Sequence, residues 1–484
     1  MGQAVQPAPA ADTVHYERRR PEDTTLYQLV QEHLETFLAQ VEAQTGAALP
    51  QLVKDEFDAF LECGILAHGF LRLRCADCAD EKLVAFSCKR RGFCPSCGAR
   101  RMAKTAAHLV DYVIPPVPVR QWVLSFPIPL RTLLAAHPQL LSAVLQIVHR
   151  VIATFLVKQA GLKRREADTG AVTLIQRFGS AANLNIHLHC LVLDGVYRMA
   201  GSVPVFQEAC APTVEELHAL LAKIIARLMR LLTRQGVLIE EQGMSYLAGI
   251  EADQALTPLQ AASCTYRIAL GPRAGQKVLS LQTVSGRREP AAPALCANAH
   301  GFSLHAAVRC AAHQRNELEQ LCRYISRPAI ANGRLSRNRT GDVVLRLKSP
   351  YKDGTTHVVM SPLEFMQRLA ALVPRPRLHL IRFHGVLAPH AKLRAQIVPR
   401  EPINAHDPAH TAHGATPSRM SWARLLKRVF EIDIEHCPHC GGNLKILAAI
   451  EDPAVIVGIL THLNLPARAP PRSPARAPPL FQAA

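Results

Sequence analysis

Two Cys-x2-Cys turns, Cys75/Cys78 and Cys94/Cys97, stand fifteen residues apart and constrain this chain more than any other local feature. Each such turn can aim two thiolates at one ion at about 2.3 Å, and two turns close a tetrahedron. The spacing therefore predicts a structural zinc site built from Cys75, Cys78, Cys94 and Cys97, with no position left open for chemistry. Cys63, His68 and Cys88 are further candidates, for a second ion or as replacements for one of the four. Around the second turn, "CKRRGFCPSCGARRMAK" (88–104) carries Lys89, Arg90, Arg91, Arg100, Arg101 and Lys104 and no acid. A basic surface stiffened by zinc suits contacts with phosphate. Farther on, "EHCPHCGGNLK" (435–445) holds Cys437 and Cys440 beside His436 and His439. It reads as half a zinc ribbon without its other half, for which His406, His410 and His413 are upstream options.

The charge supports a polyanionic partner. The 484 residues carry a formal net charge of +18, an imbalance most often matched by nucleic acid. A hydrophobic share of 49% is ample for a core, and the length allows two to four domains. The start "MGQAVQPAPAADTVHY" lacks a charged segment followed by an apolar one. No window reaches the ~18 uninterrupted apolar residues of a membrane span. The expected setting is the cytoplasm, where the 14 cysteines serve as thiols or metal ligands rather than disulfides.

Along the chain, residues 1–15 are Ala/Pro-rich and read as disordered. Helical spacing runs from Leu26 to about Gln40 and again from Leu52 to Phe60. Residues 102–165 look mostly helical between proline breaks at 115–118 and 127–129. "AVTLIQRFG" (171–179) and "NIHLHCLVL" (185–193) read as antiparallel neighbours. An amphipathic helix is expected at 213–235, and a hairpin from 264–270 and 277–284 around "GPRAGQ". That loop lacks the Gly-Lys-Ser/Thr ending of a P-loop. A helix at about 303–327, strands at 342–348 and 357–361, and a helix after Ser361 follow. Residues 401–418 read as a polar linker, and the Pro-rich tail from 466 as disordered.

In the second of those strands, His187 and His189 flank Leu188. With 22 histidines in 484 residues, about one His-x-His is expected by chance, so spacing alone says little. Alternation puts His187, His189, Leu191 and Leu193 on one face and Ile186, Leu188, Cys190 and Val192 on the other. Two imidazoles on one face can converge on a single ion, with Gln176 of the neighbouring strand as a candidate third ligand. Such a site, open to substrate, could hold Mg2+ or Mn2+ against a phosphate. A nucleophile is still needed. In "NELEQLCRYISRPAIANGRLSRNR" (316–339), Tyr324 lies in the last helical turn before Pro328, flanked by Arg323 and Arg327. A tyrosine so placed can attack phosphorus, with the arginines stabilising the developing charge.

Taken together these segments resemble the HUH rolling-circle transposases of bacterial insertion sequences, of the ninety-one type and the related common-region elements. The likeness rests on residues 60–78 and 87–102 for a zinc-binding domain, 177–197 for the histidine segment, 321–335 for the tyrosine segment, and 351–394 beyond it. It implies an α+β chain: a small zinc-binding N-terminal domain, then a catalytic domain with a central antiparallel sheet flanked by helices. The expected division is 1–15 disordered, 16–110 zinc- and DNA-binding, 111–400 catalytic, 401–465 linker and Cys-x2-Cys segment, and 466–484 tail. The resemblance implies a metal-dependent strand transferase that nicks and rejoins single-stranded DNA through a 5′-phosphotyrosine on Tyr324. In that reading His187 and His189 hold catalytic Mg2+ or Mn2+, zinc is structural, and Arg90, Arg91, Arg100, Arg101, Arg323 and Arg327 contact DNA. Its partners are element ends, single-stranded or hairpin-forming, and further copies of itself, with no membrane. A replication initiator or relaxase with the same chemistry, or an inactive zinc-dependent DNA-binding protein, are the alternatives. One departure stands out. Many relatives carry two tyrosines four residues apart, whereas Gln320 and Pro328 occupy those positions here, as in the single-tyrosine branch.

Overall fold

The protein was analysed as a computed structural model, which describes residues 14–15, 19–241, 244–247, 253–285, 295–399, 432–433 and 435–476. The chain divides into two compact units. The smaller comprises 1–24, 59–89 and 403–471, and the larger comprises 25–58, 90–402 and 472–484. The expected linker 401–418, with His406, His410 and His413, lies outside the described residues, as do 1–13 and 477–484.

The smaller unit is built from both ends of the sequence. Phe70–Cys75 is the middle strand of a three-stranded antiparallel sheet, between Glu81–Ala85 and Leu444–Ile450. The helix Pro453–His462 lays Ile456 and Leu460 on Leu66 and Phe70 to form its small core. Asp452 caps that helix through the N–H groups of Ala454 and Val455, and Pro453 takes the first helical position, where no N–H is needed. Val14–His15, expected to be disordered, pair in parallel with Ile432–Asp433.

The larger unit centres on an antiparallel sheet ordered Cys296–Ala299, Phe302–His305, Val119–Ser125, Leu184–Leu193, Gly170–Phe178 and Ile381–Gly385. Arg309–Cys310 also pairs with Val119–Ser125. The strand Leu184–Leu193, called here the histidine strand, is central. His187 stands opposite Ser125 on one side and Gln176 on the other, and His189 opposite Val123 and Leu174. On that face Val172, Leu174, Leu191 and Leu193 pack under the helices Pro95–Tyr112 and Arg315–Ser326, through Leu109, Leu318, Cys322 and Ile325. The other face is apolar too. Trp122, in register with Cys190, meets Phe155 of the helix Leu140–Gln159 edge to face at 6.1 Å. That helix is long and apolar enough to cross a membrane, with a mean hydropathy of 1.9, but Leu141, Val144, Val148 and Ile152 are buried in this core.

Local signals and structure agree where a cap or a clean period exists. Thr213 and Ser361 each form a capping box, with Glu216 and Glu364, and start the helices Val214–Arg234 and Pro362–Leu372. Elsewhere the pattern misleads. Val119–Ser125, inside the stretch expected to be mostly helical, is a strand buried on both faces and therefore shows no alternation. Only Arg315–Ser326 of the expected 303–327 helix is helical, because Phe302–His305 and Arg309–Cys310 join the sheet edge. The expected hairpin at 264–284 is replaced as well. Leu256–Cys264 is a helix, a single bridge links Arg267 with Lys277, and Leu279–Gln282 pairs instead with Thr355–Met360. The tail is pinned at its start, where Arg472 bonds Asp58 at 2.6 Å and the Ser473 N–H bonds the Gln31 carbonyl at 3.2 Å.

One buried ion pair sits at the end of the histidine strand. Asp194, 2% exposed, accepts from Arg120 Nε and Nη2 at 2.8 and 2.9 Å and from Arg309 Nε at 2.7 Å. Arg309 in turn reaches the exposed Glu208 at 2.8 Å. Removing one partner of a buried pair strands the other charge, whereas an exposed pair contributes little. Asp194→Ala should therefore lower unfolding stability by about 3–5 kcal/mol in a denaturant titration, and Glu208→Ala by less than about 1 kcal/mol.

Candidate functional site

The histidine strand presents both imidazoles to one place. The rings of His187 and His189 lie 4.8 Å apart, centroid to centroid. Burial pushes the pKa of His187 down to about 4 and that of His189 to about 3, with Arg327 lowering both further. Both rings are therefore neutral near pH 7, the form that can ligate a metal. His187 Nδ1 donates to the Asn185 carbonyl at 2.9 Å, which leaves Nε2 with a lone pair. His189 Nε2 is buried with no protein partner. Its Nδ1 meets the Gln121 amide at 2.8 Å, an interaction the sequence did not single out. For Nε2 to offer a lone pair, Nδ1 must carry the proton and Gln121 must present Oε1, an amide orientation of the same shape. With that orientation the donor set fits a divalent cation. Cys190 faces the other way. It accepts from Thr173 Oγ1 at 3.4 Å, and burial raises its thiol to about 11.

Gln176, the candidate third ligand, lies opposite His187 and is 5% exposed. Its Nε2 donates to the Ile325 carbonyl at 2.7 Å. That bond ties the sheet to the helix Arg315–Ser326 one residue past Tyr324. Leu318, Cys322 and Ile325 form the buried stripe of this helix, which leaves Tyr324 44% exposed and open to a large substrate. Two cations cover its ring, the Arg327 guanidinium at 4.5 Å and Lys348 Nζ at 3.8 Å. Arg327 also bonds the Tyr324 carbonyl at 2.7 Å. Because the same guanidinium depresses both imidazoles, the tyrosine and the histidine pair share one electrostatic neighbourhood. Lys348, two residues past the strand Val343–Arg346, lies in a stretch to which the sequence reading gave no function.

The other expected DNA-binding arginines are partly engaged in structure. Arg91 donates to the Leu378 carbonyl at 2.6 Å, Arg101 to the Arg90 carbonyl at 2.8 Å, and Arg323 to Glu319 at 2.6 Å. Glu56 lies among Arg90, Arg91 and Arg101 and accepts the Gly92 N–H at 2.7 Å. The basic run thus has one buried acid beneath it, supplied from a distant part of the chain.

The cysteines group differently from the expectation based on spacing. Cys75 and Cys78 do not meet Cys94 and Cys97. They meet Cys437 and Cys440, and these four sulfur atoms lie within 4.8 Å of one another. The reason is topological: Leu444–Ile450 pairs with Phe70–Cys75 and brings the distant turn alongside the first. His68, His436 and His439 are not among them. Four thiols so close fit one tetrahedral ion, so a zinc site is chemically reasonable here.

Two further histidines, His149 and His384, both half-buried, stack at 4.5 Å, and desolvation lowers them to about 3 and about 4. Their folded pKa lies below the ordinary 6.5, so the unfolded chain takes up protons first as pH falls. Stability is therefore full above about pH 6.5 and is lost on the way down, by about 2 kcal/mol per imidazole at pH 5. The melting temperature should fall between pH 7 and pH 5, and His149→Gln should make that fall shallower.

Comparison with known families completes the description. A model described as "Putative transposase" matches residues 170–395, and one described as "Transposase zinc-binding domain" matches residues 29–126. Neither the curated proteins nor the solved structures contain a match to the chain.

Proposed function

The chain belongs to the IS91-type transposases, with the zinc-binding domain ahead of the transposase domain, and is thereby a DNA-processing enzyme; we propose that it nicks and rejoins single-stranded DNA through Tyr324. The observation that carries this reading is the bond from Gln176, opposite His187 in the sheet, to the Ile325 carbonyl next to Tyr324. In the proposed step Tyr324 Oη attacks a backbone phosphorus and loses its proton to solvent. The bond from phosphorus to the 3′ oxygen breaks, that oxygen takes up a proton, and a 5′-phosphotyrosine remains. Attack by a 3′-OH on this ester reverses the step and rejoins the strand without nucleotide hydrolysis. Arg327 and Lys348, over the ring, offset phosphate charge. His187 and His189 would hold Mg2+ or Mn2+ through Nε2, and the cation would polarise the scissile phosphate. With its Oε1 turned to Nδ1, Gln121 would hold the His189 ring in the ligating tautomer. Zinc held by the cysteines would be structural.

Single-stranded oligonucleotides from the flanks of the gene, incubated with the protein and Mn2+, should give a covalent adduct that survives denaturing electrophoresis. Tyr324→Phe and His187→Ala should each abolish it. An adduct that persists in Tyr324→Phe would reassign the nucleophile. DNA binding with no cleavage under any metal would leave the inactive reading. Gln121→Leu should retain the adduct but raise the Mn2+ concentration needed, by about 10- to 100-fold.

A further inference from the structure

The Cys-x2-Cys turn at 437–440 lies outside both matched regions, yet it stands opposite Cys75 and Cys78. Cys75 Sγ is 3.4 Å from Cys440 Sγ, and Cys78 Sγ is 3.5 Å from Cys437 Sγ. Four thiolates at about 2.3 Å from one ion would stand about 3.8 Å apart, so binding needs only a small expansion. The two turns are built alike. In the first, the Cys75 N–H bonds the Asp80 carbonyl at 2.8 Å, and the Asp77 N–H points at Cys75 Sγ at 3.4 Å. In the second, the Cys437 N–H bonds the Gly442 carbonyl at 2.7 Å, and the Gly441 N–H bonds the Cys437 carbonyl at 2.9 Å. Gly441 has φ +73°, which a side chain would disfavour. The Ala76 N–H reaches the Asn443 carbonyl at 3.1 Å and locks one turn against the other. A Cβ on Gly442 would fall 2.1 Å from Asp77 Oδ2, so a side chain there would displace the Asp77 carboxylate.

We propose that Cys75, Cys78, Cys437 and Cys440 form one tetrathiolate zinc ribbon whose two halves come from opposite ends of the chain. The zinc-binding domain at the N-terminus is then incomplete until the C-terminal segment has been made. The ion holds Leu444–Ile450 on the sheet by cross-linking two turns that sequence places more than 350 residues apart. Each thiol that binds gives up its proton to solvent, so loading depends on pH.

Cys78 and Cys440 are exposed, as is Cys210, which is not one of the four, and this allows a test on the unaltered full-length protein. The zinc-loaded chain is treated with iodoacetamide and modification is mapped by peptide mass spectrometry, while zinc content is measured in parallel. Cys78 and Cys440 should react on the order of tenfold more slowly than Cys210 despite similar exposure. Graded addition of EDTA should uncover Cys75, Cys78, Cys437 and Cys440 in a single step, together with release of one zinc per chain. In the full chain, Cys437→Ser with Cys440→Ser should lower zinc content by one per chain, and Cys440→His should restore it. Uncovering of Cys437 and Cys440 while Cys75 and Cys78 stay protected would overturn the proposal. So would an unchanged zinc content in the double variant. Neither readout depends on Tyr324, so failure of the strand-transfer reading leaves this test intact.

Discussion

Everything at the candidate active site hangs on the register of the histidine strand between its two neighbours. A slip of one residue in a β-strand turns every side chain to the opposite face. Such a slip would carry His187 and His189 under the helix Leu140–Gln159 and turn Cys190 toward the tyrosine helix. The buried pair of Asp194 with Arg120 works against this by fixing one end of the strand to Val119–Ser125. Arg309 draws the sheet edge into the same carboxylate. The apolar residues on both faces add to the constraint, since neither face tolerates a charged or wet substitute.

The site is polar on a surface that is otherwise core. Gln121, Gln176 and the two imidazoles occupy sheet positions whose neighbours along the same strands are Leu174, Leu191 and Leu193. Buried polar groups require partners, and here the partners are informative. Gln121 spends its amide on His189 and Gln176 on the tyrosine helix. One glutamine orients a ring and the other positions the backbone beside Tyr324. His189 Nε2 is left with no protein group to satisfy it.

Much of this was legible from local pattern. The neighbouring strands at 171–179 and 185–193, the separation of His187 and His189 from Cys190, and the cap at Ser361 all follow from period and chemistry within a dozen residues. The tyrosine at a helix end was visible because Pro328 marks the stop. Val119–Ser125 was not visible, because a strand buried on both faces has no alternation to read. Residues 302–310 looked helical for a related reason: short edge strands owe their conformation to Val119–Ser125, which lies far away in sequence. Gln121, on that unrecognised strand, could not be found before the strand was.

The sequence by itself determined the candidate groups: three Cys-x2-Cys turns able to bind metal, a pair of histidines on one strand face, and a tyrosine among arginines. Tertiary structure decided which of these groups meet. Cys75 and Cys78 could have closed a site with Cys94 and Cys97 across a short loop, and local spacing favours that pairing because short loops cost little entropy. They pair instead with Cys437 and Cys440, because backbone hydrogen bonding along Leu444–Ile450 and burial of Ile456 and Leu460 fix the distant segment on the sheet. Spacing reports only how easily two groups can meet, whereas the sum of sheet pairing and burial over a whole segment decides whether they do.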